Sequence, residues 1–523
     1  MKRLITGLIA ALLAFTASSA TTPSASQVRD QVRAYRIAHE PQILEDFSRL
    51  LAMPNVATRV SDIETNAAFI TEALQRRGFQ TQLLSAGPGT PPAIYGELKA
   101  PHAKRTLVFY AHYDGQPAGQ AAWRSDPFKP VVRAGNAGTT ERPARESPAG
   151  TTSKDVDWRA AGKIDPEWRI YARSASDDKA PIQSMLTALD ALRAAGKHPT
   201  VNVKVFYEGE EEQGSHHLAD ILRQYHELLS GDVFVLSDGP RHASGQMQVF
   251  FGARGVAAVE MTVYGPSRPL HSGHYGNWAP NPAVTLTHLL ASMRDEEGHI
   301  LIPGFYDSVR PLSAAEKSLL AGLPDVETGL RQDLALGRTE GSERLADSIS
   351  RPALNIRGLR AGDVGEGAAN AIPTEARASV DFRLVPDQTP QEVREKTEGF
   401  WRAQGWFVVT DEPDTATRLA HPKVIRAEWS LDYPAYRADM NAPAVRAVVA
   451  AIQRSTGAPV LQMPILGGSV PMYTFAQALQ MPIIGVPLAN ADNNQHGANE
   501  NLRIQNLWDG IEIYAGLLTD VSW

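Results

Sequence analysis

Short apolar runs alternate with amphipathic segments over the first half of the chain. Helical periodicity is clearest at 180–195 and 216–229, and apolar runs of strand length lie at 201–207 and 233–236. Apolar runs of four to eight residues are typical of buried strands, whereas a period of 3.6 residues indicates helices. Strands that alternate with helices predict βαβ units. We therefore expect an α/β fold in which a mainly parallel sheet carries helices on both faces.

The pattern changes after Asp238. The alternating strands and the helices predicted beyond it lie at 255–264, 282–294, 376–384 and 390–404. Two such strand-helix passes favour a smaller α+β domain with an exposed sheet edge. Because a helix at 441–456 and an apolar run at 482–486 restore the first pattern, we expect the smaller domain to be inserted into the larger one.

The first twenty residues carry the pattern of an export signal. Lys2 and Arg3 precede an apolar run at 4–15, which the small residues Ser18 to Ala20 follow. This order is typical of a secretory signal peptide at 1–20, so we expect a periplasmic or secreted protein. The alternative is an N-terminal membrane anchor, but the apolar run is short for a membrane crossing. After removal of the signal, no stable membrane insertion is expected.

The composition narrows the classes of function. With 523 residues, 43% of them hydrophobic, the chain can bury a large core and is expected to form more than one domain. A formal net charge of -7 provides no basic surface, so nucleic acid is not an expected partner. The absence of cysteine excludes disulfides and thiolate ligands. Any metal must be held by imidazoles and carboxylates, a set that suits zinc or manganese.

Acidic and histidine side chains follow the apolar runs. The densest group is Glu208 to Glu212, four carboxylates in five residues directly after the run 201–207. The other candidates, in chain order, are His112, Asp114, Asp177, Asp178, Asp238 and His496. In open α/β sheets, ligands bind outside the carboxyl ends of the strands. Carboxylates packed this closely repel one another unless a cation lies among them, which favours a metal site over a solvated acidic surface.

The candidates match the number that a two-metal hydrolase requires. Such a site needs a bridging carboxylate, an imidazole for each metal, further carboxylates, and an acid that moves protons without binding metal. One arrangement gives His112 and Asp238 to one ion, Glu212 and His496 to the other, and Asp177 to both. Asp114 can then orient His112, and Glu211 is left as the general acid/base.

Five motifs in order resemble the di-zinc metallopeptidases that include carnosinases, bacterial dipeptidases, aminoacylases and carboxypeptidase G. They are His112-Tyr113-Asp114, Ser176-Asp177-Asp178-Lys179, Glu211-Glu212-Gln213-Gly214-Ser215, Ser237-Asp238 and Gly467-Gly468-Ser469. The resemblance extends from about residue 43 to the C-terminus. Three further motifs resemble the carnosinase-type dipeptidase branch most: Leu270-His271-Ser272-Gly273, Asn370-Ala371-Ile372-Pro373 and Asp381-Phe382-Arg383-Leu384-Val385-Pro386.

The resemblance implies a role for each residue of the metal site. It implies two zinc ions, with manganese or cobalt as alternatives, and Asp177 as the bridging aspartate. The same comparison matches His112 and Asp238 to one zinc and Glu212 and His496 to the other. Glu211 matches the general base, and Asp114 matches the supporting carboxylate.

Four matches lie outside the metal site. His271 matches a histidine that, in dimeric relatives, reaches the partner's active site, so a homodimer through the inserted domain is implied. Asn370 and Arg383 match lid residues that hold the carboxylate end of the substrate, a group that an arginine fork suits. From the residues alone, Asn370 can equally cap a turn, and Arg383 can pair with Asp381 or Glu375. Ser469 matches a residue of the glycine-rich substrate loop, although Gly-Gly-Ser is often only a turn.

These roles divide the chain into a catalytic domain and an inserted domain. We predict that 24–250 and 436–523 form the catalytic domain and that 251–435 is a lid or dimerisation domain. The implied activity is hydrolysis of dipeptides or short peptides that have a free C-terminal carboxylate. In the resembled family, aspartate at the position of Asp238 accompanies dipeptidases and aminopeptidases, whereas glutamate accompanies carboxypeptidases and deacylases.

Other functions remain open. The nearest alternative is an N-acyl amino acid amidohydrolase or a carboxypeptidase that uses the same site. A secreted binding protein without turnover is less favoured, because no ligand and no base is missing from the motifs. A di-metal phosphoesterase is also less favoured, because the sequence shows no basic phosphate cradle.

Two features depart from the resembled pattern. His112 and Asp177 lie 65 residues apart (177 minus 112), which is longer than the branch leads us to expect. We assign the excess to the stretch 133–165, which is rich in Gly, Thr, Ala, Pro and Arg and is predicted to be an exposed loop of low order. In addition, Gly497-Ala498-Asn499-Glu500 follows His496, where dipeptidases commonly have a serine.

Overall fold

The computed structural model describes residues 25–119, 122–134 and 154–523. The predicted export signal at 1–20 lies outside these ranges, as does the central part of the stretch 133–165. Within the described ranges, none of the helices combines the length and the apolar character that a membrane crossing requires.

Helices and strands occur along the whole described length of the chain. The described helices are α1 (Ala25–Leu51), α2 (Val60–Gln75), α3 (Lys179–Ala194), α4 (Leu218–Gln224), α5 (His226–Leu229), α6 (Ser272–Tyr275), α7 (Pro282–Met293), α8 (Ala314–Ala321), α9 (Glu327–Asp333), α10 (Leu345–Ser348), α11 (Pro390–Ala403), α12 (Thr415–Ala420), α13 (Pro443–Thr456), α14 (Met472–Leu479) and α15 (Ile504–Thr519). Two short 3₁₀ helices lie at Glu211–Gln213 and Gly365–Gly367.

The described strands form an eight-stranded, a five-stranded and a four-stranded sheet and two short pairs. They are β1 (Gln80–Leu84), β2 (Ala93–Leu98), β3 (Thr106–His112), β4 (Val131–Ala134), β5 (Lys154–Asp155), β6 (Arg169–Tyr171), β7 (Asn202–Glu208), β8 (Val233–Leu236), β9 (Gln248–Phe250), β10 (Gly252–Ala253), β11 (Gly255–Tyr264), β12 (Leu270–His271), β13 (Ala353–Arg360), β14 (Ala371–Ile372), β15 (Glu375–Leu384), β16 (Phe407–Val409), β17 (Val424–Tyr433), β18 (Tyr436–Arg437), β19 (Leu461–Met463), β20 (Ile483–Gly485) and β21 (Asn501–Arg503).

The larger sheet has eight strands in the order β1-β2-β7-β3-β8-β20-β9-β19. At its centre, β3 runs parallel to both β7 and β8, and β20 runs parallel to β8. Antiparallel pairs occur only towards its sides, at β1-β2, β2-β7 and β9-β20. Because β3, β7, β8 and β20 all run in one direction, their carboxyl ends meet at the same edge of the sheet.

Helices cover both faces of this sheet. Leu107 and Phe109 of β3 point into a core shared with α1, α2, α3, α13 and α15, whereas Val108 and Tyr110 point into a core shared with α4, α5 and α14. This alternation follows from the period of two residues in a strand. The predicted α/β fold with helices on both faces is confirmed.

The second sheet lies within the predicted insertion. Its order is β13-β15-β11-β17-β16, and α7 and α11 pack on it around a core that includes Val259, Phe382 and Trp401. All of its pairs are antiparallel except β16-β17. Strands β10 and β18 flank this unit in sequence and pair with each other, so the chain leaves the larger domain and returns to it side by side. The domain bounds 251 and 435 stay a prediction.

The structure departs from the sequence analysis in the stretch 133–165. Arg133 lies in β4 and is buried, and β5 pairs with β4. Trp158 and Ile164 are buried in the core of the larger domain. The prediction of an exposed loop of low order is therefore wrong at Arg133, Trp158 and Ile164, whose buried side chains anchor the chain, whereas most of the other residues in 154–165 are exposed and lie outside strands. The segment 135–153 lies outside the described residues.

The predicted helix at 216–229 is also wrong in part. The structure has two shorter helices, α4 and α5, which are separated at Tyr225. The backbone of Tyr225 leaves the helical region (φ -113°, ψ 22°). The amphipathic pattern continues through Tyr225, so the sequence gives no sign that one helix ends and another begins there.

Candidate metal centre

The predicted ligands converge at the carboxyl edge of the parallel strands. His112 ends β3, Glu212 lies in the 3₁₀ helix after β7, and Asp238 follows β8 by two residues. Asp177 precedes α3, and His496 lies in the loop between β20 and β21. The order of the strands brings together residues that lie as much as 384 positions apart (496 minus 112).

Distances between side-chain atoms define two overlapping groups. The first consists of His112, Asp177 and Glu212, and the second of His112, Glu211 and Asp238. In each group, one ligand atom from every residue lies within 4.8 Å of the others. His496 Nε2 extends the first group, because it lies 3.3 Å from Glu212 Oε2.

Asp177 occupies the centre of the cluster. Its Oδ1 lies 2.9 Å from His112 Nε2, and its Oδ2 lies 3.3 Å from His496 Nε2. Each oxygen of one carboxylate thus faces a different imidazole. This is the arrangement that a carboxylate shared between two cations requires.

Asp114 joins two parts of the cluster. Its Oδ1 lies 3.3 Å from His112 Nδ1, on the side of the ring that faces away from Asp177. The same carboxylate accepts hydrogen bonds from the backbone N–H groups of Glu211 (3.1 Å) and Glu212 (3.0 Å). Asp114 therefore lies where it can fix both the ring of His112 and the start of the 3₁₀ helix.

Sequence reasoning missed two residues that contact the cluster. The side-chain amide of Gln116 donates a hydrogen bond to Glu212 Oε2 at 2.7 Å. The carboxylate of Glu500 accepts a hydrogen bond from the backbone N–H of Asp177 at 3.0 Å. Gln116 lies two residues after Asp114, and this closeness to the His112 motif was the one sign in the sequence that it could contact the cluster. Glu500 was noted only as part of a departure from the resembled pattern.

The electrostatics of the cluster fit divalent cations. Among the described residues, no lysine or arginine forms an ion pair with Asp177, Glu211, Glu212 or Asp238. The ion-pair partners of Asp177 and Glu212 are histidines. Burial and then the charge of Asp177 raise the pKa of Glu212 to about 8 and that of Asp238 to about 6. Burial also raises the pKa of Glu211 well above its usual range.

The histidines respond in the complementary direction. The hydrogen bond to Asp177 raises the pKa of His496 to about 9. Without a cation, protons that bind to the histidines and to some of the carboxylates therefore offset the negative charge of the cluster. A donor set of two imidazoles and several carboxylates is one that zinc and related divalent ions accept, so the residues present fit the metal ions that the sequence implies.

Arg383 of the inserted domain and Ser469 of the larger domain contact each other. Arg383 extends from β15, and its Nη1 donates a hydrogen bond to Ser469 Oγ at 2.8 Å. Its Nε donates to Asp381 Oδ2 at 3.0 Å, so one pairing that the sequence left open is present. Arg254 Nε donates to the carbonyl oxygen of Gly467 at 2.9 Å. Two arginines thus hold the Gly467-Gly468-Ser469 loop.

His271 and Asn370 lie apart from the cluster. Both are exposed, and the backbone N–H of Ser272 donates to the carbonyl oxygen of Asn370 at 2.9 Å. Among the described residues, neither side chain forms a hydrogen bond or an ion pair with the acid-histidine cluster. The structure brings these two residues together with each other but not with the predicted metal ligands of the same chain.

Comparison with known proteins identifies the family. The pattern of Peptidase family M20/M25/M40 matches residues 148–520. The chain belongs to this family. The resemblance drawn from the motifs is confirmed, and the chain is a metal-dependent hydrolase of the peptidase class.

Individual members of the M20 family match most of the chain. The Cys-Gly metallodipeptidase DUG1 of Saccharomyces cerevisiae is 26% identical over 506 residues, which cover 92% of this chain and 95% of that protein. The Beta-Ala-His dipeptidase of Rattus norvegicus is 27% identical over 496 residues, which cover 92% of this chain and 89% of that protein. Among solved structures, an M20 family metallo-carboxypeptidase from Sulfolobus solfataricus superposes with a TM-score of 0.73 at 26% identity, covering 91% of this chain and 98% of that one.

Glu208 is a buried carboxylate beside the centre. It is 3% exposed at the end of β7, and its Oε2 accepts a hydrogen bond from Tyr110 Oη at 2.8 Å. Burial raises the pKa of Glu208 to about 7, although hydrogen bonds with Ser215 and Tyr110 oppose that rise. Because its pKa is higher in the folded chain than in the unfolded chain, the stability that Glu208 contributes is complete at acid pH and is lost as the pH rises through 7.

The substitution Glu208→Gln should remove this loss. We expect the free energy of unfolding of the variant, relative to the unmodified chain, to rise by about 3 kcal/mol between pH 4 and pH 8. The measurement is urea unfolding of both proteins at several pH values in the presence of a chelator, since cations in the centre would lower the pKa of Glu208. Parallel pH profiles for the two proteins would contradict the prediction. Tyr110→Phe is the matched control, because it removes a donor to Glu208 and should steepen the pH dependence.

Proposed function

We propose that this protein is a di-metal dipeptidase that hydrolyses the amide bond of dipeptides or short peptides with a free C-terminal carboxylate. The observation that carries this proposal is the position of Asp177, whose two oxygens face His112 and His496 separately. Two of its relatives, a Cys-Gly metallodipeptidase and a Beta-Ala-His dipeptidase, support a dipeptide substrate.

The proposed ligand sets follow from these contacts. His112 and Asp238 would hold one ion, Glu212 and His496 would hold the other, and Asp177 would contact both. Zinc is the ion we propose, with manganese or cobalt as alternatives, because the donors are imidazole nitrogens and carboxylate oxygens only. When bound, such ions lower the pKa of water to roughly 7 and polarise a carbonyl group.

Glu211 is the proposed general acid/base. Its backbone is fixed by Asp114, which accepts a hydrogen bond from its N–H. Its side chain accepts the proton of the attacking water and then returns that proton to the departing amine. Burial raises the pKa of Glu211, which makes it a stronger base than an ordinary carboxylate. A pKa nearer to the working pH suits both steps, because the group can then accept the proton of water and still donate it to the amine.

Arg383 and Asn370 are the proposed contacts for the substrate's carboxylate end, and Ser469 is a proposed substrate contact from the glycine-rich loop. Arg383 donates hydrogen bonds from Nε to Asp381 and from Nη1 to Ser469, and its Nη2 has no hydrogen-bond partner among the described residues. A guanidinium that is held in this way is preorganised for a carboxylate. Ser469 lies next to Arg383 in the glycine-rich loop. A peptide that contacts both residues would therefore lie between the larger domain and the inserted domain.

A homodimer is proposed through the inserted domain. Among the described residues, His271 makes no hydrogen bond or ion pair with the cluster of its own chain, and the resemblance implies that it acts at the centre of a second chain. The strand β13 forms an edge of the inserted sheet and exposes Ile356 and Leu359. An edge strand with exposed apolar side chains is suited to pairing with another chain. In this arrangement His271 would polarise the scissile carbonyl at the partner's centre.

Export of the protein is a further proposal that rests on the sequence pattern of residues 1–20 alone. The N-terminal residue of the chain recovered from the periplasm is the measurement that tests it.

The choice between a dipeptidase and its nearest alternatives can be tested with matched substrates. We expect the metal-loaded protein to hydrolyse β-Ala-His or Cys-Gly at least about tenfold faster, by kcat/KM, than the same peptide with an acetylated amino group. The reason is that aspartate at the position of Asp238 accompanies dipeptidases in the resembled family, whereas glutamate accompanies carboxypeptidases and deacylases. Preference for the acetylated peptide would favour the amidohydrolase or carboxypeptidase alternative. The similarity to a metallo-carboxypeptidase is the observation that supports this alternative.

Replacing the proposed base should separate catalysis from metal binding. Glu211→Gln keeps the size of the side chain but cannot accept the proton of water, so we expect kcat to fall roughly 10²- to 10⁴-fold. Because Glu211 is not among the proposed ligands, the metal content should stay the same. Elemental analysis and steady-state kinetics on the same preparation provide both measurements. Full activity of the variant would contradict the proposed mechanism.

Mixed dimers can test whether the active sites are shared. Chains with His271→Ala and chains with Glu211→Gln should each be nearly inactive alone. If His271 acts at the partner's centre, each mixed dimer regains one complete centre, and activity should return towards a quarter of the wild-type value at equal mixing, since about half of the dimers are mixed. Mixing each variant with itself is the control. No recovery after verified subunit exchange would show that the centres are built within one chain.

A further inference from the structure

One buried carboxylate outside the proposed ligand set accepts an unusually large number of hydrogen bonds. Glu500 is 0% exposed and lies four residues after His496. The groups that donate to its two oxygens, at 2.8–3.0 Å, are Arg173 Nη1, Ser174 N, Ser176 N, Ser176 Oγ and Asp177 N. A carboxylate has about four lone-pair sites, so its acceptor capacity is used within the protein. Glu500 is therefore not available as a metal ligand.

The hydrogen bonds to Glu500 fix the backbone that carries Asp177. Three backbone N–H groups between Ser174 and Asp177 point at this one side chain. The segment precedes α3, and its last residue places one carboxylate between two imidazoles. Since each oxygen of Asp177 faces a different histidine, a small rotation or shift of this backbone would alter both contacts at once.

Arg173 connects the same carboxylate to the loop of His496. Arg173 is buried, with Nη1 on Glu500 Oε2 at 2.8 Å and Nη2 on the carbonyl oxygen of Gly497 at 3.2 Å. The backbone N–H of Ala172 donates to the carbonyl oxygen of Glu500 at 3.2 Å. The pair Arg173-Glu500 thus holds the segment before α3 against the segment after His496.

The loop of His496 has a conformation that needs such support. His496 and Asn499 have φ angles of 62° and 60°, in the left-handed region that side chains with a Cβ rarely occupy. Residues in this region persist when their surroundings fix them. The side chain of His496 is also 56% exposed, so side-chain packing alone does not hold it.

We propose that Glu500 is a positioning residue of the metal centre, which sets Asp177 and His496 at the separation that a cation between them requires. This inference rests on the metal binding in the proposed function and adds a residue to which the ligand motifs assign no role. The interaction explains why an acid is present at this buried site. A glutamine would offer one acceptor oxygen and would turn an N–H₂ group towards donors, and it would leave the Arg173 guanidinium buried without a counter-charge.

The test compares metal affinity in three variants of the full chain. For Glu500→Gln we expect the Kd for Zn²⁺, measured by competition with a chelator, to weaken 10- to 100-fold. The visible absorption spectrum of the Co²⁺-substituted protein should change, and kcat should fall more than KM rises. Glu500→Asp keeps the charge and should recover part of the affinity. Ser176→Ala removes one donor without stranding a charge and should weaken Zn²⁺ binding about fivefold, so it answers the question even if Glu500→Gln does not fold.

Glu512→Gln is the matched control. Glu512 lies on α15 and is also a buried carboxylate. It accepts hydrogen bonds from Nε (2.8 Å) and Nη2 (2.6 Å) of Arg33 on α1, and among the described residues it forms no hydrogen bond or ion pair with a proposed ligand. This variant should lose stability without losing Zn²⁺ affinity or changing the Co²⁺ spectrum. Wild-type affinity in Glu500→Gln or Ser176→Ala, or an equal loss in Glu512→Gln, would overturn the proposal. Metal binding by the unmodified chain without hydrolysis of any peptide would instead contradict the proposed function and leave the affinity comparison valid.

Discussion

The centre depends on one electrostatic constraint: several carboxylates are gathered at a buried strand edge without a lysine or arginine among the described residues to neutralise them. Like charges in such an environment must take up protons or bind cations. Burial raises the pKa of Glu212 and of Asp238, and the hydrogen bond to Asp177 raises that of His496, which are signs of the same imbalance. This excess of negative charge follows from the parallel strands of the larger sheet, because the residues at their carboxyl ends lie at one edge.

The sequence predicted the part of the structure that follows from short periodic patterns. Buried parallel strands are continuous apolar runs, so β3, β7, β8 and β20 could be recognised, and the polar residues after each run became candidates. Their convergence follows from strand direction, which the alternation with helices predicts. This is why His112, Glu212, Asp238 and His496 could be selected before their distances were known. Asp177 was instead selected as part of an acidic pair in a loop before a predicted helix.

The residues that hold the ligands in place could not be selected in this way. Glu500 lies 323 positions after Asp177, and nothing in the pattern around it indicates that its partners are backbone N–H groups of another loop. Trp158 and Ile164 were missed for a related reason, since two apolar residues in a polar stretch have no period. Backbone contacts between distant loops depend on tertiary structure, and a single sequence does not encode them as a local pattern.

The pairing of β10 with β18 has a consequence for how the chain folds. These two short strands hold residues 252–253 beside 436–437, so the 182 residues between Ala253 and Tyr436 (254–435) begin and end at one point. Closing a flexible loop of that length costs entropy that grows with the logarithm of its length. A segment that has its own sheet and core can bring its ends together by folding first. The two halves of the larger domain then meet as though only a short connection separated them.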